Sequence, residues 1–545
     1  MPIDWKRTGW SSACIFLLAF AMAGGLLVHR LETGGDNLDF LQMAKSIQQG
    51  HPGEIIGWPR PAGYAVFILT WLGALGLRLD GGALFALSPE TIYALKAAGI
   101  LLFALSALVV QAWAWRLLGD RRWAFGVALL YAMNQHMAAW ASVIGAETLF
   151  VFLVFLGLLL WERYAAEGDP PRCLWAFVAV AVACMFAKYQ GLVLGASFGA
   201  WVVLFRRRSG RAWAAGGVLF VFFLISVGLM VLGNPFCLQH VVSSDPYASG
   251  ATVTWGTRLA AAARTYSLSW PDLVAPKFLG YHGLFAKAGA GFLAWPFSLG
   301  VLGLMALGLV ATLRRGVRPA HVFLGSFYAL LFVWPDFLFR YLMPMLPFGL
   351  WFLVEGLRAA GRWTARRFPR GSPDLPAIVA LAALVVWSGA VNAFAGVKNW
   401  RNVVQLRALP AWAPERYRIS REDDFAEFIE GCQWFRDHAE PEAVVFCRKA
   451  LFGELAARRP CVYYTSSKTP DELWQALVAS AGRAPTYLLR DTFGADSTYG
   501  RLREQLVTPL LQERAGELEL VRRLESGAEI YRIAPAERDR HGSGL

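Results

Sequence analysis

The stretch 9–50, GWSSACIFLLAFAMAGGLLVHRLETGGDNLDFLQMAKSIQQG, decides how the whole chain is read. Its first half, 9–29, is an apolar run of about 21 residues, enough for a helix to cross a hydrocarbon core of about 30 Å. Lys6 and Arg7 precede it, as in a secretory signal, but the run is longer than the usual apolar part of one. It predicts an uncleaved first span whose basic end is cytoplasmic. The second half places two carboxylates, Asp36 and Asp39, within a residue or two of a membrane surface. Charge there is unfavourable unless something uses it.

Further apolar runs follow down to about residue 397, and 56% of the 545-residue chain is hydrophobic, more than a soluble domain carries. The expectation is a polytopic α-helical membrane protein with about 11–13 spans and a small C-terminal α/β domain outside the membrane. A formal charge of +13 could suggest nucleic acid, but Arg and Lys gather in short loops: RRW at 121–123, RRRSGR at 206–211, RRGVR at 314–318 and RAAGRWTARRFPR at 358–370. That is the bias that orients membrane helices with basic loops inside. The Cys residues form no C-x-x-C, so no metal or redox framework is indicated. One disulfide among Cys432, Cys447 and Cys461 would fit, as would buried free thiols, the simpler reading.

The predicted spans are 9–29, 91–118, 122–142, 145–163, 173–187, 189–205, 212–232, 291–313, 320–337, 341–357 and 376–397. If 62–79 also crossed, every Arg-rich loop would fall outside, so charge bias predicts that it lies along the outer face. The 33-residue run 173–205 is about 50 Å as one helix, too long for one crossing, and is split near AKYQG. The map gives a membrane part, 1–397, with outer loops 30–90 and 233–290, and a soluble outer domain, 398–545. In that domain strands AVVFC, CVYY, TYLLRD and AEIYRIA alternate with helices ALFGELAARR, 470–481 and near 499–512, an α/β pattern. It has no Gly-rich phosphate loop, and is expected to cap the membrane site or recognise an acceptor.

This topology puts Asp36, Asp39, Arg60, Glu147, Lys188, Arg340 and Tyr341 on one side of the membrane. Five of them have a plain alternative: Asp36 and Asp39 as N-cap and third-position helix carboxylates, Glu147 as a first-turn carboxylate, Lys188 and Arg340 as interfacial anchors. Taken together they fit one site. A cation at a leaving phosphate stabilises developing charge, and a guanidinium, as on Arg60 or Arg340, pairs with phosphate through a planar fork. An attacking hydroxyl needs a carboxylate base, with Asp36 the first choice and Asp39 the reserve.

In order along the chain, GDNLD, RPAGY, GAETLF, KYQG and RYLMPMLP, followed by the outer α/β tail, resemble the GT-C glycosyltransferases. The likeness is to the bacterial branch similar to lipid A aminoarabinose transferase and the protein O-mannosyltransferases. The resemblance implies inverting transfer of a sugar from a polyprenyl-phosphate carrier, such as undecaprenyl phosphate, to a lipid, glycan or protein acceptor. The partners would be that lipid-linked sugar, the bilayer and the extracytoplasmic acceptor, in a bacterial inner membrane. It also implies that Asp36 is the essential carboxylate of the first outer loop and that Glu147 is a second acidic position. Arg60, Lys188 and Tyr341 would stand near the carrier phosphate. Some relatives have a proposed metal site of one Glu and two His; here Pro59 precedes Arg60, so no metal ligands carry over, and a divalent ion stays open as a cofactor. The competing expectations are a transporter or flippase of a lipid-linked sugar and a non-catalytic assembly scaffold. Transporters often carry internal repeats, and none stands out here.

Overall fold

The computed structural model describes residues 5–27, 35–53, 61–79, 88–166, 170–233, 255–274, 294–333, 341–367, 372, 374–409, 413–419, 423–464, 469–491 and 503–533. It is helical over most of its length, with a small C-terminal sheet. The membrane part contains α1 (Trp5–Gly24), α2 (Gly35–Gln48), α3 (Gly63–Ala74), α4 (Pro89–Leu118), α5 (Arg121–Ala132), α6 (Gln135–Ala141), α7 (Ala146–Ala166) and α8 (Pro171–Ala187). It continues with α9 (Leu192–Phe205), α10 (Gly210–Gly233), α11 (Trp255–Val274), α12 (Ala294–Leu313), α13 (Pro319–Val333), α14 (Leu346–Arg367) and α15 (Leu375–Ala408). Among the described residues, five helices are long and apolar enough to cross a membrane: 90–118, 146–166, 210–229, 296–313 and 375–392. Shorter apolar helices stand beside them, including α8, α9 and α13.

The chain divides into two compact units. The first comprises Met1–Leu27, Met43–Arg78 and Tyr93–Arg401; the second comprises Val28–Gln42, Leu79–Ile92 and Asn402–Leu545. Aromatic side chains centre the first unit. Trp113 meets Phe155, Phe348 and Trp351 edge-on at centroid distances of 5.1, 5.1 and 5.7 Å, joining α4, α7 and α14. Trp161 joins α7 to α8 and α9, tilted against Phe177 and edge-on to Phe198 and Trp201. Edge-on aromatic pairs add to apolar burial because the ring edge is positive and the face negative.

Glycine sets the closest helix crossing. A β-carbon at Gly308 on α12 would overlap the Phe352 carbonyl of α14, and one at Gly356 on α14 would overlap the Leu304 carbonyl of α12. Each backbone therefore lies directly on the other, the arrangement that small residues permit between membrane helices. Next to this crossing, the wholly buried Glu355 receives ion pairs from Arg315 and from Arg358 at 3.4 Å. On α7, Glu162 accepts from Ala320 N at the start of α13 at 3.1 Å.

The run 173–205 breaks where its length predicts, between α8 and α9. At 14 residues α9 rises only about 21 Å. The single span expected at 122–142 is instead two helices, α5 and α6. Asn134 separates them: its Oδ1 accepts from Met137 N at 3.1 Å to cap α6, and its Nδ2 donates to Leu273 O at 2.7 Å. In the loop expected at 233–290 lies α11, whose Ala262, Tyr266, Trp270, Leu273 and Val274 enter the bundle core. The first four, spaced by four, four and three residues, form a helical stripe inside an otherwise polar stretch.

In the second unit α17 (Asp423–His438), α18 (Ala450–Ala457) and α19 (Pro470–Ala481) accompany a five-stranded sheet, and α16 (Pro414–Ile419) precedes them. Its strands are β1 (Val444–Cys447), β2 (Cys461–Tyr463), β3 (Thr486–Arg490), β4 (Leu518–Arg523) and β5 (Glu529–Ile533), in the order β2-β1-β3-β5-β4. β1 runs parallel to both β2 and β3, with Val445 opposite Cys461 and Tyr487, while β5 is antiparallel to β3 and β4. The alternating pattern read from sequence matches β1, β2, β3 and β5. β4 and α17 are additions. The expected helix near 499–512 is, in the described residues, a π-helical turn, Arg503–Val507, followed by α20 (Thr508–Glu513). Cys432, Cys447 and Cys461 are free thiols. Glu529, nearly buried, accepts from Arg490 and Arg523, each at 2.6 Å, and from Tyr531 at 2.7 Å.

Two outcomes follow from this packing. Gly356→Val forces α12 and α14 apart and destabilises the bundle by about 1–3 kcal/mol, the usual overpacking range, while Gly303→Val, which meets nothing within 4 Å, does not; thermal unfolding in detergent compares them. Burial opposes ionisation of Glu529, but the hydrogen bonds from Tyr531, Arg490 and Arg523 outweigh it and hold its carboxyl below the ordinary value of 4.5. A carboxyl depressed in the folded state contributes stability above that ordinary value and loses it as pH falls through the folded value. Hydrogen exchange of β3, β4 and β5 in the full chain then shows acid-dependent loss of protection, and Glu529→Gln removes about 2 kcal/mol at neutral pH together with part of that acid dependence.

Candidate active site

Lys188 sits where the polypeptide doubles back. α8 ends at Ala187, and Lys188 adopts an extended backbone (φ −157°, ψ 141°) before one 3-10 turn, Tyr189–Gly191, leads into α9. Two glycines permit the tight reversal and its neighbour. A β-carbon at Gly191 would overlap the Cys184 carbonyl, and one at Gly63, the first residue of α3, would overlap the Phe186 carbonyl. RPAGY and AKYQG, far apart in sequence, therefore meet backbone to backbone.

Glu147 is the second residue of α7. Lys188 Nζ donates to its Oε1 at 2.9 Å, and 17% of the Lys188 side chain and 12% of the Glu147 side chain remain exposed. Gly145 leaves room for the carboxylate, since a β-carbon there would lie 2.7 Å from Glu147 Oε2. The N-terminus of α7 adds favourable partial charge for a carboxylate in its first turn. Phe150, one turn further along α7, and Tyr341, just before the turn Met343–Met345, place their rings 6.0 and 5.9 Å from the Lys188 ammonium. Ring faces attract a cation. The ammonium thus has a carboxylate and two aromatic rings around it, in a setting that excludes most water.

Of the seven residues singled out from sequence, the structure brings together Glu147, Lys188 and Tyr341. Asp36 is the second residue of α2 and not its N-cap, and its side chain lies outside the described residues, as do Arg60 and Arg340. Asp39, one turn on, is half-buried within the second unit. Sequence reasoning passed over Lys96, a wholly buried cation on α4. It lies one turn before Gly99, where a β-carbon would sit 2.6 Å from the Ala141 carbonyl and 3.5 Å from Thr148 Oγ1. Its signal was available: a lysine inside TIYALKAAGILLF, an ionisable group in an apolar helix. Among the described residues, no three His, Cys, Asp or Glu side chains gather as metal ligands would.

No protein-family model matches the chain, and no curated protein sequence matches it. Solved structures do. ArnT from Cupriavidus metallidurans bound to undecaprenyl phosphate superposes with a TM-score of 0.52 at 14% identity, covering 97% of this chain and 99% of ArnT. The same protein in the apo state gives 0.53 at 13% identity, covering 97% and 98%. The archaeal oligosaccharyltransferase AglB from Archaeoglobus fulgidus, in complex with an inhibitory peptide and a dolichol-phosphate, gives 0.51 at 11% identity, covering 98% of this chain and 75% of AglB. Both proteins are of the GT-C superfamily. The chain has the GT-C membrane fold.

Proposed function

We propose that this chain is an inverting glycosyltransferase that moves a sugar from a polyprenyl-phosphate donor to an extracytoplasmic acceptor at the membrane surface. The observation that carries the reading is the cluster of Glu147, Lys188 and Tyr341: a cation held by a carboxylate and bordered by aromatic rings, where two short apolar helices meet. The shared fold supports it, since ArnT and AglB were each solved with a polyprenyl-type phosphate bound.

In the proposed reaction the bond between the sugar's anomeric carbon and the carrier phosphate breaks while an acceptor oxygen bonds that carbon from the opposite face. The bonding electrons leave with the phosphate, and Lys188 meets the charge that develops there, with Arg60, Arg340 and Tyr341 as further contacts. Glu147 keeps the ammonium aimed without competing for every N–H, because a lysine ammonium carries three donors. A hydroxyl acceptor gives its proton to Asp36, with Asp39 in reserve. A phosphate acceptor is already anionic, needs no base and is positioned by Asp36 instead.

Two measurements test this. Removing one group that stabilises developing charge lowers turnover by about a hundredfold or more, so Lys188→Met loses transfer to that extent. Glu147→Gln loses less, because it disturbs the aim of the ammonium and leaves its charge; transfer is followed with membrane fractions and lipid-linked donor. Full activity in Lys188→Met would remove the cluster from the mechanism. Mass spectrometry of lipid extracts from the native host addresses the base: Asp36→Ala, present in the membrane, accumulates one polyprenyl-phosphate sugar and so names the donor. Unchanged carrier lipids would count against transfer, and net movement of labelled carrier in liposomes without transfer would favour a flippase.

A further inference from the structure

The turn joining α9 to α10 lies at the other end of α9 from Lys188. Leu204, Phe205, Arg206, Arg207, Arg208 and Ser209 line a cleft of about 530 Å³ there, a size suited to a small ligand or a head group. Its walls are fixed by three helices. Arg206 Nη2 donates to Ala165 O in the last turn of α7 at 2.8 Å, and its guanidinium lies 5.3 Å from the Trp201 ring centroid. Trp213 Nε1, on α10, donates to Arg207 O at 2.9 Å, and Ser209 Oγ accepts from Ala212 N at 3.3 Å. Arg207 Nε donates back to Val203 O of α9 at 2.5 Å. With the turn anchored in this way, Arg207 and Arg208 stay exposed, and no carboxylate is among the lining residues. Leu204, Phe205 and Trp213 beside them are also strongly exposed, at 60%, 49% and 49%.

We infer that this cleft binds the head group of an anionic phospholipid. The two exposed guanidiniums match phosphate through their planar forks, and the first turn of α10 adds partial positive charge. Leu204 and Phe205, at the end of an apolar helix, and Trp213 meet the acyl chains and the interface. Basic pockets between membrane helices take such head groups. A soluble phosphate would use the arginines and leave the apolar rim bare, so the lipid is the occupant. The inference is independent of the proposed glycosyl transfer and stands or falls separately.

Native mass spectrometry of the full chain in detergent tests it, with dioleoyl phosphatidylglycerol, dioleoyl phosphatidylcholine or inorganic phosphate added. The expected result is one phosphatidylglycerol retained in preference to phosphatidylcholine. In Arg207→Ala/Arg208→Ala that binding weakens about tenfold or more, and Leu204→Gln/Phe205→Gln also weakens it. A control pair at another basic turn, Arg121→Ala/Arg122→Ala, retains it. Equal retention by the wild type and the Arg207→Ala/Arg208→Ala variant would overturn the inference, as would equal loss in the control pair. Displacement of the lipid by equimolar inorganic phosphate would assign the cleft to free anions and overturn the lipid assignment.

Discussion

A carboxylate and an ammonium can share the end of an apolar bundle only as a pair. Removing either partner strands a charge away from water at a cost of about 3–5 kcal/mol, so the Glu147–Lys188 contact couples every segment that positions it. α7 supplies the carboxylate from its first turn. The reversal at Gly191 supplies the lysine, and the Gly63 contact holds α3 against the same reversal. Tyr341 closes the aromatic side from a fourth segment. Four places scattered between positions 63 and 341 are thereby tied to one electrostatic requirement, and the small residues among them exist to let backbones come close enough to meet it.

Much of this was legible in the sequence because it depends on short-range rules. Apolar length gave the long helices, the excess length of 173–205 gave its break, and alternating strand and helix patterns gave β1, β2, β3 and β5. The partnership of Glu147 with Lys188 was half legible: both were singled out as ionisable groups near spans, but no local rule says which carboxylate meets which cation across 41 residues. The broken span at Asn134 was hidden because apolar residues continue through the break, and the decisive bonds run to Met137 N and to Leu273 O, the latter 139 residues away. α11 was hidden for a different reason. Its core stripe of Ala262, Tyr266, Trp270 and Leu273 is diluted by polar neighbours, so averaged hydropathy reads the segment as loop. Lys96 was visible as a charge in an apolar run and was overlooked.

The likeness to ArnT and AglB is one of fold, at identities of 14% and 11%. Folds of this kind host different donors and acceptors on the same helical frame, and function resides in the site grafted onto it. The second unit illustrates the same division. Its sheet packs an apolar core that includes Phe446, Leu473, Leu477, Leu488 and Leu510, and the wholly buried Arg448 pairs with Asp491. Such buried pairing adds little net stability, yet losing either partner strands the charge of the other.

The shortness of α9 has a mechanical consequence for the surrounding lipid. With the 3-10 turn that leads into it, α9 rises about 27 Å, a few Å short of a hydrocarbon slab of about 30 Å. The arginines that follow α9 and the lysine that precedes it both resist immersion, so the elastic sheet yields locally at a cost of fractions of a kcal/mol per Å. A bilayer crossed by this helix would thin slightly around it to match.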